Sequence, residues 1–171
     1  MQNLVLIGMP GSGKSKVGSI LAPLLKRQFV DLDEFNFQEF QRDPADFLAE
    51  LGSEKMLDLE AKQTQKFQLQ DAVVATSGST PLRKAGIQHL RQNALTLWLK
   101  VPVAILASRI EGRADGATRI VGLQGKSLAE LAHYRHKFYA ENCDLSFTLN
   151  QEEPATEVAK KILALVQTKL Q

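Results

Sequence analysis

The 171-residue sequence predicts an α/β fold of three layers: a central five-stranded parallel sheet with helices on both faces. Two observations carry the prediction. Strand and helix signals alternate along the chain, as right-handed βαβ crossovers require. The first strand also runs into Gly8-Met9-Pro10-Gly11-Ser12-Gly13-Lys14-Ser15. That stretch fits G-x-x-x-x-G-K-[ST], the phosphate-binding loop of P-loop NTPases.

Residues 3–7 read as a strand, because Leu4-Val5-Leu6-Ile7 is a short apolar run of the kind buried on both faces of a parallel sheet. Apolar residues at helical spacing from Val17 to Leu25 place a helix over 14–27. A short strand at 28–31 leads into Asp31-Leu32-Asp33. Helical patterns follow over 34–42, 45–51 and 53–70, with Pro44 and Gly52 as breaks. Ala72-Val73-Val74-Ala75-Thr76 is a buried strand. Pro81 opens a helix to about 92, since proline suits a first helical turn. A fourth strand covers 95–99, and Pro102 opens a helix to about 110. Residues 111–126 contain Gly112, Gly116, Gly122 and Gly125 and show weak periodicity, so they read as a mobile loop. A helix over 127–141, a fifth strand over 145–149 and an amphipathic helix over 154–170 complete the chain.

Composition excludes several classes. A hydrophobic content of 44% and a charged content of 23% are those of an ordinary globular domain, expected to span 1–171 as one unit. The net charge is +2, with 21 basic and 19 acidic residues interspersed, so neither nucleic acid nor an anionic membrane is an expected partner. No apolar run reaches the roughly 20 residues that cross a bilayer. The first strand starts so early that no signal peptide is expected, and the lone Cys143 permits no internal disulfide. A monomer in the reducing cytoplasm is the expectation.

The loop chemistry explains its residue types. Glycines let the backbone turn tightly and aim N–H groups at phosphate oxygens, and the following helix adds its positive end. Lys14 reaches the β- and γ-phosphates, and Ser15 is the Mg²⁺ ligand. Gly11, Ser12, Gly13, Lys14, Ser15 and Lys16 are therefore the expected nucleotide-binding residues, with Lys14 at a solvent-facing loop end. Ligands of such sheets sit beyond the carboxyl ends of the strands, so loops 8–15, 31–33 and 76–80 should converge on one cleft. No N-K-x-D base-reading segment is present, and the third strand runs into Thr76-Ser77-Gly78-Ser79 rather than a Walker-B aspartate. A small-molecule kinase fits best. An alternative from another class is a nucleotide-binding sensor without catalysis.

Nearly the whole chain resembles the shikimate kinases, within the nucleoside-monophosphate-kinase-like group. The resemblance rests on the P-loop, Asp31-Leu32-Asp33, the run from Gly52 to Glu60, Thr76-Ser77-Gly78-Ser79, Thr118-Arg119, and Arg135-His136-Lys137-Phe138-Tyr139. It implies ATP and Mg²⁺ as co-substrate and cofactor and shikimate as acceptor. It implies that Asp31 assists Mg²⁺ and that Asp33 holds the acceptor hydroxyls and takes the proton. Arg119 would be the arginine of a lid over 111–126, with Arg113 a second lid cation. Arg135 would grip the acceptor carboxylate, and Gly78 would offer it a backbone N–H. Plain alternatives stand beside these roles. Asp31 and Asp33 also suit a helix N-cap and acidic first turn. Arg119 also suits a solvated loop, and Arg135 an exposed salt bridge.

Two departures stand out. Met56-Leu57 replaces the family's Phe-Arg, whose arginine clamps the carboxylate, and Ser77-Gly78-Ser79 replaces Gly-Gly-Gly. Loss of one charged partner costs roughly 1.5–3 kcal/mol, so another small hydroxy acid or polyol is the alternative acceptor. Leu57 is expected to face the acceptor pocket. Ser77 and Ser79 suit either hydroxyl recognition or an ordinary turn. His133 and His136 lack a third metal ligand and read as helix surface. Phe35, Phe37, Phe40 and Phe47 read as core or pocket wall, and Trp98 as core.

Overall fold

The computed structural model describes residues 2–41, 43–68, 70–112 and 119–170. The five strands are β1 (Asn3–Ile7), β2 (Gln28–Asp31), β3 (Ala72–Ala75), β4 (Ala94–Lys100) and β5 (Leu145–Thr148). They form one parallel sheet in the order β2-β3-β1-β4-β5. The register sets Val5 beside Val74 on one side and Thr96 on the other. All five residues of β1 are buried, as its unbroken apolar run requires of a strand covered on both faces.

Alternate residues of β1 feed two separate cores. Leu4 and Leu6 pack with Val17 and Leu21 of α1 (Lys14–Leu24) and with Val158 and Ile162 of α7 (Ala155–Val166). Val5 and Ile7 face the other way, toward Ile87 and Leu90 of α4 (Lys84–Arg91), Leu106 of α5 (Val103–Glu111), and Leu131 and Tyr139 of α6 (Leu128–Glu141). The expected three layers result. Two further helices, α2 (Leu32–Phe40) and α3 (Pro44–Thr64), extend beyond β2 and β3 and wall the cleft described below.

Element ends differ from the sequence reading for local reasons. Helix α1 stops at Leu24 rather than 27, because Lys26 turns left-handed at φ 55° and the Arg27 N–H reaches back to Ala22 O at 2.9 Å. The two helical patterns around Gly52 form a single element, α3, whose axis breaks at Gly52 with φ 75° and ψ 167°, a conformation that only glycine adopts readily. It ends at Thr64 instead of 70, as Lys66 and Phe67 switch to tighter bonds onto Gln63 and Thr64. Pro81 does not open α4. It sits in a 3-10 turn, Thr80–Leu82, and extended Arg83 separates that turn from the helix. Ser127, placed inside the sixth helix by the pattern, is its N-cap, and its side chain exchanges bonds with Glu130 in a capping box.

Candidate active site

The carboxyl ends of β1, β2 and β3 deliver loops 8–15, 31–33 and 76–80 to one side of the sheet. A cleft of about 1030 Å³ opens there, between the P-loop, α2, α3, α6 and the segments after α5 and β5. Gly11, Ser12, Gly13, Lys14, Ser15 and Lys16 all line it. Lys14 is not at a solvent-facing loop end as expected. It is buried, and its ammonium donates to Gly8 O at 2.9 Å and Met9 O at 3.0 Å. The loop's own carbonyls thus hold its cation at the cleft wall.

Of the two aspartates, Asp33 is among the described residues that line the cleft and Asp31 is not. The Asp31 carboxylate accepts the Asp33 N–H at 3.0 Å and so caps α2. Asp33 is exposed and lines the cleft, with Asn36 one turn further along the same face. Ser15 is also exposed on the cleft. The Ser15 hydroxyl and the Asp33 carboxylate, both on the cleft, are hard oxygen donors of the kind Mg²⁺ takes, and that ion keeps waters and phosphate oxygens in most of its shell.

The far end of the cleft is polar and buried. Arg135 is 1% exposed, which removes the exposed salt-bridge alternative. Its Nη2 donates to Val121 O at 2.6 Å, while Nε and Nη1 meet no hydrogen-bond partner among the described residues. Beside it, the Tyr139 hydroxyl donates to Gly78 O at 2.7 Å. Gly78 is required for space: a Cβ there would sit 2.6 Å from Cδ of Pro10 in the P-loop. Glu60 of α3 is buried and accepts from Ser79 Oγ at 2.5 Å, and Ser79 Oγ lies 2.9 Å from Ser77 Oγ. Burial pushes the Glu60 carboxyl up to about 7, and neighbouring Asp33 adds to the shift, against the Ser79 bond and the Arg135 charge. Asn36 is 5% exposed and its Oδ1 is likewise unpartnered.

Arg119 lines the cleft and ion-pairs with Asp43, the N-cap of α3. The Ala45 N–H and then Arg119 hold the Asp43 carboxyl below its usual range. Arg113, Gly116 and Thr118 of the expected lid lie outside the described residues, as do the side chains of Phe37 and Phe40.

Leu57 does not face the acceptor end. It packs with Leu48, Met56 and Val121 and lines a smaller cavity of about 420 Å³ on the other side of Val121, whereas Met56 lines the main cleft. Asn36 and Arg109 are missed by the sequence reading, and Glu60, the end of the run from Gly52, is given no role there. Arg109 pairs both carboxylate oxygens of Glu152, at 2.9 and 2.6 Å, and donates to Gly11 O at 3.1 Å, so it buttresses the P-loop. Its only sequence signal is a place on the helix opposite that loop. Among the described residues, no group of three or more His, Cys, Asp or Glu is placed to hold a metal, and no helix is long and apolar enough to cross a membrane.

Comparison with known proteins agrees with this geometry. A family model described as shikimate kinase matches residues 10–167. The shikimate kinase of Nostoc sp. is 33% identical over 98% of this chain and 92% of its own. Shikimate kinase 2 of Escherichia fergusonii is 32% identical over 85% of this chain and 82% of its own. Threonine synthase-like 1 of Mus musculus is 32% identical over 97% of this chain, which spans 22% of that relative's length. A solved shikimate kinase from Acinetobacter baumannii, in complex with shikimate, superposes with a TM-score of 0.78 at 22% identity, covering 100% of this chain and 96% of that one, a likeness of fold.

Proposed function

The chain belongs to the shikimate kinase family, phosphotransferases with an alcohol acceptor, and on that premise we propose that it transfers the γ-phosphoryl of ATP to a hydroxyl of shikimate, giving shikimate 3-phosphate. One observation carries the acceptor assignment. A fully buried arginine, Arg135, has two N–H-bearing nitrogens with no hydrogen-bond partner among the described residues, in the same cleft as the P-loop and Asp33. Leaving a buried cation short of partners is costly, and a bound carboxylate removes that cost.

Transfer then needs alignment and charge neutralisation more than covalent help from the protein. The P-loop amides hold the phosphates, and Lys14 exchanges its contacts with the loop carbonyls for the β- and γ-phosphates. Asp33 orients the acceptor hydroxyl and takes its proton as that oxygen attacks the γ-phosphorus. The bond from that phosphorus to the bridging oxygen breaks, and ADP leaves. Mg²⁺ would be held by the Ser15 hydroxyl and, through water, by Asp31, and would neutralise phosphate charge. Arg119 would exchange Asp43 for the phosphates, and its guanidinium suits a spread phosphoryl charge. We place the kinase, read as one domain over 1–171, in the cytoplasm as a monomer. A different small hydroxy acid is the second reading, favoured by apolar Met56 in the cleft wall and by the serines at 77 and 79.

The test is Arg135→Leu. The Michaelis constant for shikimate should rise tenfold or more, since bonds to charged groups are worth roughly 1.5–3 kcal/mol, with the constant for ATP unchanged. An unchanged constant for shikimate in a folded variant would overturn the acceptor assignment.

A further inference from the structure

The acceptor end of the cleft holds a chain of side-chain hydrogen bonds with a defined direction. Ser77, Ser79 and Glu60 all line the cleft and are all buried, at 8%, 2% and 7% exposure. Ser79 Oγ lies 2.5 Å from Glu60 Oε2, the distance of a hydroxyl donating to a carboxylate. A serine hydroxyl has one proton. Once Ser79 donates it to Glu60, the 2.9 Å contact between Ser77 and Ser79 leaves one assignment: Ser77 donates and Ser79 accepts. The Ser77 proton is then committed inward. The Ser79 N–H is 3.5 Å from Ser77 Oγ, too long to fill its lone pairs well. What Ser77 offers the cleft is an acceptor.

We propose that this chain determines acceptor specificity: Ser77, polarised through Ser79 by Glu60, takes a hydrogen bond from one hydroxyl of the substrate and rejects a carbonyl at that position. The inference rests on the shikimate reading and deepens it. Ser77 is the contact residue, and Ser79 and Glu60 position its proton. Protonation of Glu60 would let the chain reverse, with Glu60 donating to Ser79, Ser79 to Ser77, and Ser77 outward. The charged groups facing Glu60 are Asp33 from α2 and Arg135 from α6. Comparing two ligands that share one carboxylate cancels their direct effect on that carboxylate.

The experiment measures calorimetric dissociation constants for shikimate and for analogues in which one ring hydroxyl at a time is a ketone. The proteins are the wild-type 171-residue chain, Ser77→Ala, Ser77→Gly and Glu60→Gln, each checked by a thermal melt. In wild type, one ketone should bind about tenfold or more weakly than shikimate, since a buried acceptor facing an acceptor forfeits its bond. Both Ser77 variants should shrink that one ratio to about threefold or less and leave the others alone. The same ratio should rise with pH through about 7 in wild type and stay flat in Glu60→Gln. Ser77 variants that keep every ratio, in a wild type that does phosphorylate shikimate, overturn the inference alone. A wild type that neither binds nor phosphorylates shikimate overturns the function reading and the inference with it.

Discussion

Glu60 is a carboxyl group buried beside Asp33, and its environment makes a stability prediction. Its folded value of about 7 stands above an ordinary 4.5, so the folded state holds the proton more tightly than the unfolded chain. Below about 4.5 both states are protonated and Glu60 costs nothing. As pH rises toward 7 the unfolded chain ionises first, and the cost of folding grows to its full value above 7. That difference corresponds to on the order of 3 kcal/mol. Glu60→Gln keeps an acceptor for Ser79 without the charge. Melting temperatures across pH should show the variant gaining on wild type from about pH 4.5 to 7, then a plateau; a constant difference at all pH would contradict the assignment. Asp33 makes the second prediction at this scale. Asp33→Asn keeps the shape but cannot take the proton, so turnover should fall by about 10²–10⁴-fold. Calorimetry with ATP should find nucleotide binding unchanged.

At the scale of elements, α3 carries the acceptor wall and bends at a single residue. Gly52 has open space around its missing Cβ, so its conformation alone restricts substitution. Gly52→Ala should cost roughly 1–3 kcal/mol of stability from backbone strain. Chemical denaturation measures it, and a neutral outcome would mean that the bend relaxes freely. The bend was legible, since glycine between two helical patterns reads as a break. The cap residues were less so. Ser127 continues an amphipathic pattern in composition, and only its exchange with Glu130 marks the boundary. Pro81 suits a 3-10 turn as well as a helical first turn, and only the extended Arg83 after it decides between them.

For the molecule as a whole, the sheet order was not readable from the chain, but its consequence was. Alternating elements force a parallel sheet, and a parallel sheet brings its loops to one end. The P-loop, Asp33 and Arg135 were legible as residue types in recognisable settings. Asn36 and Arg109 were not, and Glu60 was legible only as the end of the run from Gly52, because their significance comes from where long-range packing sets them: Glu60 against Ser79, Arg109 against the P-loop, and Asn36 buried in the cleft wall. Leu57 shows the reverse error. The spacing of a motif located the residue but not its direction, and the break at Gly52 orients α3 so that Met56, not Leu57, meets the cleft.

The central claim is that this cleft moves phosphate from ATP to shikimate. Wild type and Asp33→Asn are incubated with ATP, Mg²⁺ and shikimate, with ADP and phosphorylated shikimate quantified in the same samples. Wild type should form the two products in equal amounts, dependent on shikimate, and the variant should form almost none. ADP formed at the same rate with and without shikimate, with no phosphorylated acceptor, would contradict the account.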